Sequence, residues 1–124
     1  ELRPDETVVW VDIGSDVTNI VVTGPRVLWF RTIGIGSDDF TRAIARDLKL
    51  VYADANRLKR DPLRARRLHQ FDQALEPVFR RLLVELQRSL ESMRSSYPRL
   101  ELRRVYVCGG GAQLHGMLRH LVIG

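Results

Sequence analysis

At 124 residues and 44% hydrophobic content, the chain is long enough to bury a core as one domain or as a piece of a larger one. Its apolar runs fall far short of the roughly 20 residues that cross a bilayer, no signal-peptide pattern opens it, and its one cysteine, Cys108, excludes an internal disulfide. The formal charge is +5, from 20 Lys and Arg against 15 Asp and Glu, and only Lys49 and Lys59 are lysines; the densest basic stretch, RLKRDPLRARR at residues 57–67, holds no aromatic side chain for base stacking, which argues against a nucleic-acid-binding module.

The chain begins at Glu1 rather than Met, as expected of an excised segment. Three β-rich runs come first. TVVWVDI (Thr7–Ile13) is almost wholly apolar and reads as a strand covered on both faces. TNIVVT (Thr18–Thr23) follows a tight polar turn, and RVLWFRTI (Arg26–Ile33) follows the turn marker Gly24-Pro25. Short connections make these three an antiparallel meander, with Trp10 and Trp29 expected in its core.

After GIGSDDF, Ser37 is the expected N-cap of a helix, with Asp38 and Asp39 in the dipole-favoured first turn. Phe40, Ile44 and Leu48 form its sheet-facing stripe. A short helix is expected over residues 53–60, ended by Pro62. The longest helix should run from about Leu68 to Ser96, with Leu75, Val78, Phe79, Leu82, Leu86, Leu90 and Met93 at helical spacing; Pro77 either starts it or kinks it. RRVYVC (Arg103–Cys108) reads as a fourth strand, GGGA as a tight loop and QLHGMLRHLVI as a final helix. The order is βββ-α-α-α-β-α.

Three constellations carry chemistry. The first is Asp12, Gly14, Ser15, Asp16 and Thr18, at the turn between the first two strands. Gly14 permits close backbone approach, and successive turn N–H groups form an anion-binding nest. Asp12 is placed to orient a metal or an attacking water, and Thr18 either hydrogen-bonds a ligand oxygen or locks the turn. The plain alternative is an ordinary polar hairpin turn. The second is Gly109, Gly110, Gly111 and Ala112 between a strand and a helix, where a ligand can lie against bare backbone with a helix N-terminus behind it; the alternative is a turn needing positive φ twice. It matches neither a dinucleotide fingerprint nor a P-loop. The third is Asn56 and Lys59, three residues apart on one helix face, suited to a ribose hydroxyl and a base edge, or simply solvated. His69, His115 and His120 have no metal-ligand spacing with Cys108, and no Ser-His-Asp arrangement is recognisable.

In this order, VDIGSDVT resembles the second phosphate loop of actin-like ATPases and VYVCGGGAQLHGM resembles their adenosine loop. FRTIGIGSDDFTRAIARDLKL, ADANRLKRD and LLVELQRSLESMRSSYPRLELRRVYVCGGGAQLHGMLRHL narrow the likeness, which covers nearly the whole chain, to the PilM-type actin-like proteins of type IV pilus assembly, related to the cell-division protein FtsA. The resemblance implies an α/β, actin-like (RNase H-like) lobe, with a three-strand antiparallel meander plus a parallel strand, packed with helices. Residues 1–124 would be the second, nucleotide-binding lobe, truncated at both ends. It implies ATP and Mg as cofactors in the intact protein, with Asp12, Gly14, Ser15, Asp16 and Thr18 around phosphates and metal (Asp12 as metal and catalytic residue), Gly109 to Ala112 along the adenosine, and Lys59 opposite. The family usually has Ala-Glu, the Glu holding the ribose, where this chain has Ala55-Asn56; Asn56 keeps the hydrogen bonding without the charge.

The resemblance also implies a scaffold role, with little nucleotide turnover, in the cytoplasm and peripheral to the inner membrane through a PilN-type partner. With one wall of the cleft absent, this fragment is expected to bind ATP weakly or not at all. The rivals are a structural type II secretion platform domain like GspL with a degenerate site, half of an actin-like phosphotransferase such as a sugar kinase, and an RNase H-like nuclease, for which Asp12 lacks carboxylate partners.

Overall fold

The computed structural model describes residues 7–62, 68–100 and 104–113. The elements run β1 (Val8–Ile13), β2 (Thr18–Gly24), β3 (Val27–Ile33), α1 (Ser37–Leu48), α2 (Tyr52–Arg60), α3 (Leu68–Ser96), β4 (Arg104–Cys108) and a 3-10 turn (Gly110–Gln113). All but the C-terminal end of the expected order is present; the expected last helix lies, beyond Gln113, outside the described residues.

β1, β2 and β3 pair antiparallel as a meander, and β4 joins β1 in parallel, giving the sheet order β3-β2-β1-β4. Helices α1 to α3 form the crossover that a parallel partner requires. They lie on one face of the sheet, and α3 packs on α1. Period-2 alternation sends Val9, Val11, Ile13, Ile20, Val22 and Ile33 into the core between them. From the helices come Phe40, Ile44, Phe71, Leu75, Leu82 and Met93, each with at most 1% of its surface exposed. Phe40 and Phe79 meet with ring centroids 4.8 Å apart and tilted by 59°, a favoured aromatic arrangement. Full burial of such a side chain contributes about 1.5–3 kcal/mol, enough to offset the hydrogen bond that Pro77 removes within this 29-residue helix. The chain neither starts nor stops there: α3 runs unbroken from Leu68 to Ser96.

Three expectations need correction. Trp10 is not in the core: the same alternation that buries Val9 and Val11 turns it to the opposite face, where it stacks on Tyr106 at 4.9 Å. Trp29 does pack against the core. β1 is accordingly covered on one face only over its second half, with Asp12 exposed. Finally, Ser37 is the first residue of α1 and Gly36 is its N-cap. Asp39 closes that end in place of a capping hydroxyl, its Oδ2 accepting from the Gly36 N–H at 2.8 Å.

Candidate functional site

Parallel pairing decides where chemistry is possible. Asp12 near the end of β1 stands beside Cys108 at the end of β4, so the loops that follow, residues 14–17 and 109–111, emerge together at the carboxyl ends of adjacent parallel strands. Ligand crevices of open α/β sheets form at such ends.

The first loop is closed by a hydrogen bond from the Gly14 N–H to the Val17 carbonyl at 2.9 Å, directly after the last rung of the β1–β2 ladder, Ile13 opposite Thr18. It is then fastened to α1. The Ser37 N–H donates to the Gly14 carbonyl at 2.8 Å and the Asp38 N–H to the Ser15 carbonyl at 2.9 Å. Thr18, fully buried, donates its hydroxyl to the Ile35 carbonyl at 2.8 Å. These bonds commit two of the N–H groups that a helix start leaves unpaired. Gly36 makes the contact possible, because a Cβ there would sit 2.4 Å from the Ser15 carbonyl oxygen.

The glycines of the second loop divide their tasks. Gly109 takes φ +86° and lies against Asp12 and Ile13; a Cβ would be 2.4 Å from the Asp12 Oδ1. Positive φ occurs once in this run, not twice. Gly111 is pressed on the Ile13 side chain, where a Cβ would meet Cγ2 at 2.3 Å. Gly110 alone has open space before it. The side chain of Ala112 lies outside the described residues.

The third wall is α2. Ala55 is fully buried and fixes the helix so that Tyr52, Asn56 and Lys59, at i, i+4 and i+7, share a face. The Lys59 ammonium donates to the Ser37 carbonyl at 3.1 Å. Half-burial lowers its pKa from the ordinary lysine value; the Asp38 carboxylate opposes that shift and Arg60 adds to it. Tyr52 donates its hydroxyl to the Asp38 Oδ1 at 3.0 Å, and its pKa is raised first by desolvation and then by that bond. Asp54 and Arg57, on the same helix, pair with each other at the surface.

Between these walls lies a cavity of about 520 Å³, lined among others by Ser15, Asn56, Lys59, Gly110 and Gly111. Five residues singled out in the sequence, taken from all three constellations, therefore meet in one place, within the usual size range of small-molecule sites. Asp12, Gly14, Asp16, Thr18 and Gly109 do not line it. Gly14 and Thr18 shape the loop from behind, Asp16 is exposed at its tip, and Asp12 lies behind Gly109. Sequence reasoning passed over Ser37, Asp38, Tyr52 and Arg60, which complete the lining. Tyr52 was legible in the spacing, one turn before Asn56; Asp38 was read only as a partner of the helix dipole. Among the described residues no three His, Cys, Asp or Glu side chains converge as a metal cage.

A mixed sheet of three antiparallel strands and one parallel strand, with helices in the crossover, defines an actin-like fold. The actin-like fold recurs, at identities that show the fold alone, in the ethanolamine utilization protein EutJ from Carboxydothermus hydrogenoformans (21% identity, TM-score 0.70, 93% of this chain and 40% of that one). It recurs also in the archaeal actin homologue Ta0583, both in its native form (19%, TM-score 0.71, 97% and 42%) and in complex with ADP (20%, TM-score 0.67, 97% and 43%). The family described as type IV pilus assembly protein PilM matches residues 2–123, and the chain belongs to that family. It is also similar to a chain of the PilM–PilN type IV pilus biogenesis complex, at 31% identity and a TM-score of 0.81 over 97% of its length. It spans about a third (33%) of that chain. Comparison with curated protein sequences gives no match.

Proposed function

We propose that the chain is the second, adenosine- and phosphate-facing lobe of a PilM-type nucleotide-binding scaffold in type IV pilus assembly. The observation that carries this reading is the convergence of Ser15, Asn56, Lys59, Gly110 and Gly111 on one cavity, because three separated segments have no packing reason to leave polar groups and bare backbone around a common space. Ser15 and the turn N–H groups would receive phosphate oxygens, Gly110 would lie along the adenosine, and Asn56 would hydrogen-bond the ribose. Lys59 supplies a positive charge held in place by the Ser37 carbonyl. Gly14, Thr18 and Gly109 keep the two loops in register, Asp12 and Asp16 stand at the loop for a cation-bound water, and Ala112 follows the glycines. Bound Mg would neutralise phosphate charge.

A family relative solved with PilN supports a PilN-type inner-membrane protein as partner. The protein would be attached through that partner, on the cytoplasmic side; no described helix is long and apolar enough to cross a membrane. Membership in the PilM family favours this reading over a GspL-like platform domain or half of a phosphotransferase. The lobe alone presents one wall and would hold ATP weakly.

The test is a calorimetric titration of the full-length protein with ATP and Mg, alongside Asp12→Ala and Lys59→Ala. Saturable binding weakened by both substitutions is expected; equal, negligible heat from all three proteins overturns the nucleotide reading.

A further inference from the structure

A second cavity, of about 610 Å³, lies on the side of α3 that faces the β3–α1 connection, and shares no lining residue with the first. Its floor is apolar. Ile33 and Ile35 are buried behind it, Val84 is 38% exposed within it, and Gly34 is exposed with open space where a Cβ would stand. Its walls are guanidinium groups: Arg80, Arg81 and Arg88 line it, and Arg31 reaches Glu85 from β3 at 3.9 Å.

The two carboxylates near it are already occupied. Glu85 is shared between Arg88, at 3.1 Å, and Arg31, while Glu76 accepts from Arg80 at 2.6 Å. Arg81 has no carboxylate partner among the described residues, so the groove carries an excess of positive charge. Exposed ion pairs of this kind contribute little to stability. Arg80 and Arg88 can therefore exchange their own carboxylates for those of another chain at small cost. Arginine, unlike lysine, offers a planar fork that matches a carboxylate with two parallel hydrogen bonds.

We propose that this groove docks an acidic peptide segment of a protein partner. Its carboxylates would be taken by Arg81, Arg80 and Arg88, and an apolar side chain would rest on Val84 beside Gly34. The choice of occupant follows from charge complementarity: four arginines outnumber two neutralised glutamates around an apolar floor. Nucleic acid fits less well, since among the described residues no aromatic side chain lines the groove for a base to stack on.

Fluorescence anisotropy of a fluorescein-labelled peptide of alternating Glu and Leu, titrated with the full-length protein at about 0.15 M salt, tests this. Saturable binding is expected, weakened about tenfold or more in Arg81→Glu with Arg88→Glu, since buried charge contacts at interfaces carry effects of that order. The double variant Arg46→Glu with Arg94→Glu changes net charge equally at exposed positions outside the groove and is expected to bind as the wild type does. Arg81→Gln, a neutral change at one exposed position, is expected to weaken binding less but measurably, and its unchanged circular dichroism separates docking from folding. Equal loss in both double variants overturns the proposal, as does absence of binding. Tighter binding of a single-stranded oligonucleotide, lost in Arg81→Glu with Arg88→Glu, also overturns it, in favour of nucleic acid.

Discussion

The Thr18 hydroxyl, with no exposed surface, donates to the Ile35 carbonyl at 2.8 Å across 17 residues of chain. This bond ties the end of the Gly14–Val17 turn to the segment that leads into α1, and with the Ser37 and Asp38 N–H bonds to Gly14 and Ser15 it makes turn and helix one unit. A displacement of the turn would therefore be felt by α1, and through the Lys59–Ser37 bond by α2.

Thr18→Val keeps the shape and removes the donor, leaving the Ile35 carbonyl buried and unpaired. The expected loss is about 1–3 kcal/mol of stability, together with weaker nucleotide binding. Thr18→Ser should restore most of both. Urea unfolding of the three proteins measures this; a Thr18→Val midpoint equal to wild type would mean the bond does not hold the turn.

Gly36 and Gly34 form a matched pair two residues apart. A Cβ at Gly36 collides with the backbone of Ser15 and Asp16, whereas one at Gly34 meets nothing within 4 Å. Gly36→Ala is expected to cost about 1–3 kcal/mol, as overpacking does, and to displace the Gly14–Val17 turn, with nucleotide affinity falling if that turn receives phosphate as proposed. Gly34→Ala should leave the melting temperature unchanged or slightly higher. Similar melting curves for the two variants would contradict the fit of turn to helix.

If Lys59 meets phosphate as proposed, nucleotide affinity is expected to fall at alkaline pH. The folded pKa of Lys59 lies below the ordinary lysine value of about 10.5, chiefly through desolvation. Between the lowered value and 10.5 the unfolded chain binds more protons than the folded one, so this residue's contribution to stability rises with pH across that window. Phosphate binding moves the opposite way, because the ammonium is lost as pH rises through the lowered value. ATP titrations at increasing pH should show affinity falling before an ordinary lysine would titrate. Lys59→Arg, which stays charged, should flatten that decline; an unchanged pH profile in the variant would assign the decline to another group.

Pro77 sits within α3, where it removes the hydrogen bond its N–H would have given to the previous turn. Its side chain is exposed at the rim of the arginine groove. Pro77→Ala is expected to raise stability by about 1–3 kcal/mol, visible as a higher melting temperature, with ATP binding unaffected. A lower melting temperature would show that α3 depends on the proline's rigidity.

The elements were legible because their patterns are local. Apolar, β-rich runs bounded by turn residues, together with helical spacing, mark three strands and α3 from Leu68 to Ser96. The errors also have local causes. An all-apolar strand hides which residues face the core, so Trp10 was misplaced. The Gly-Ser pair before α1 concealed that Gly36, which has no side chain, holds the capping position because Ser15 leaves no room for one. Tyr52 shares a helix face with Asn56 and Lys59 and was legible in that spacing, but the part of Asp38 rests on a hydrogen bond between two helices, which no spacing rule reports.

The sequence by itself determined the strand and helix order, the family resemblance, and three polar or glycine-rich motifs suited to phosphate, base and ribose, since these depend on neighbours along the chain. Only the tertiary structure decided which motif residues share a space. Parallel pairing of β4 with β1 set the two loops side by side, and packing of α2 on α1 brought Asn56 and Lys59 to them. The same packing assigned Thr18 and Gly36 to holding the turn. The physical reason is that contacts between residues far apart in sequence follow from burying one common core, and the core fixes positions that no single segment encodes.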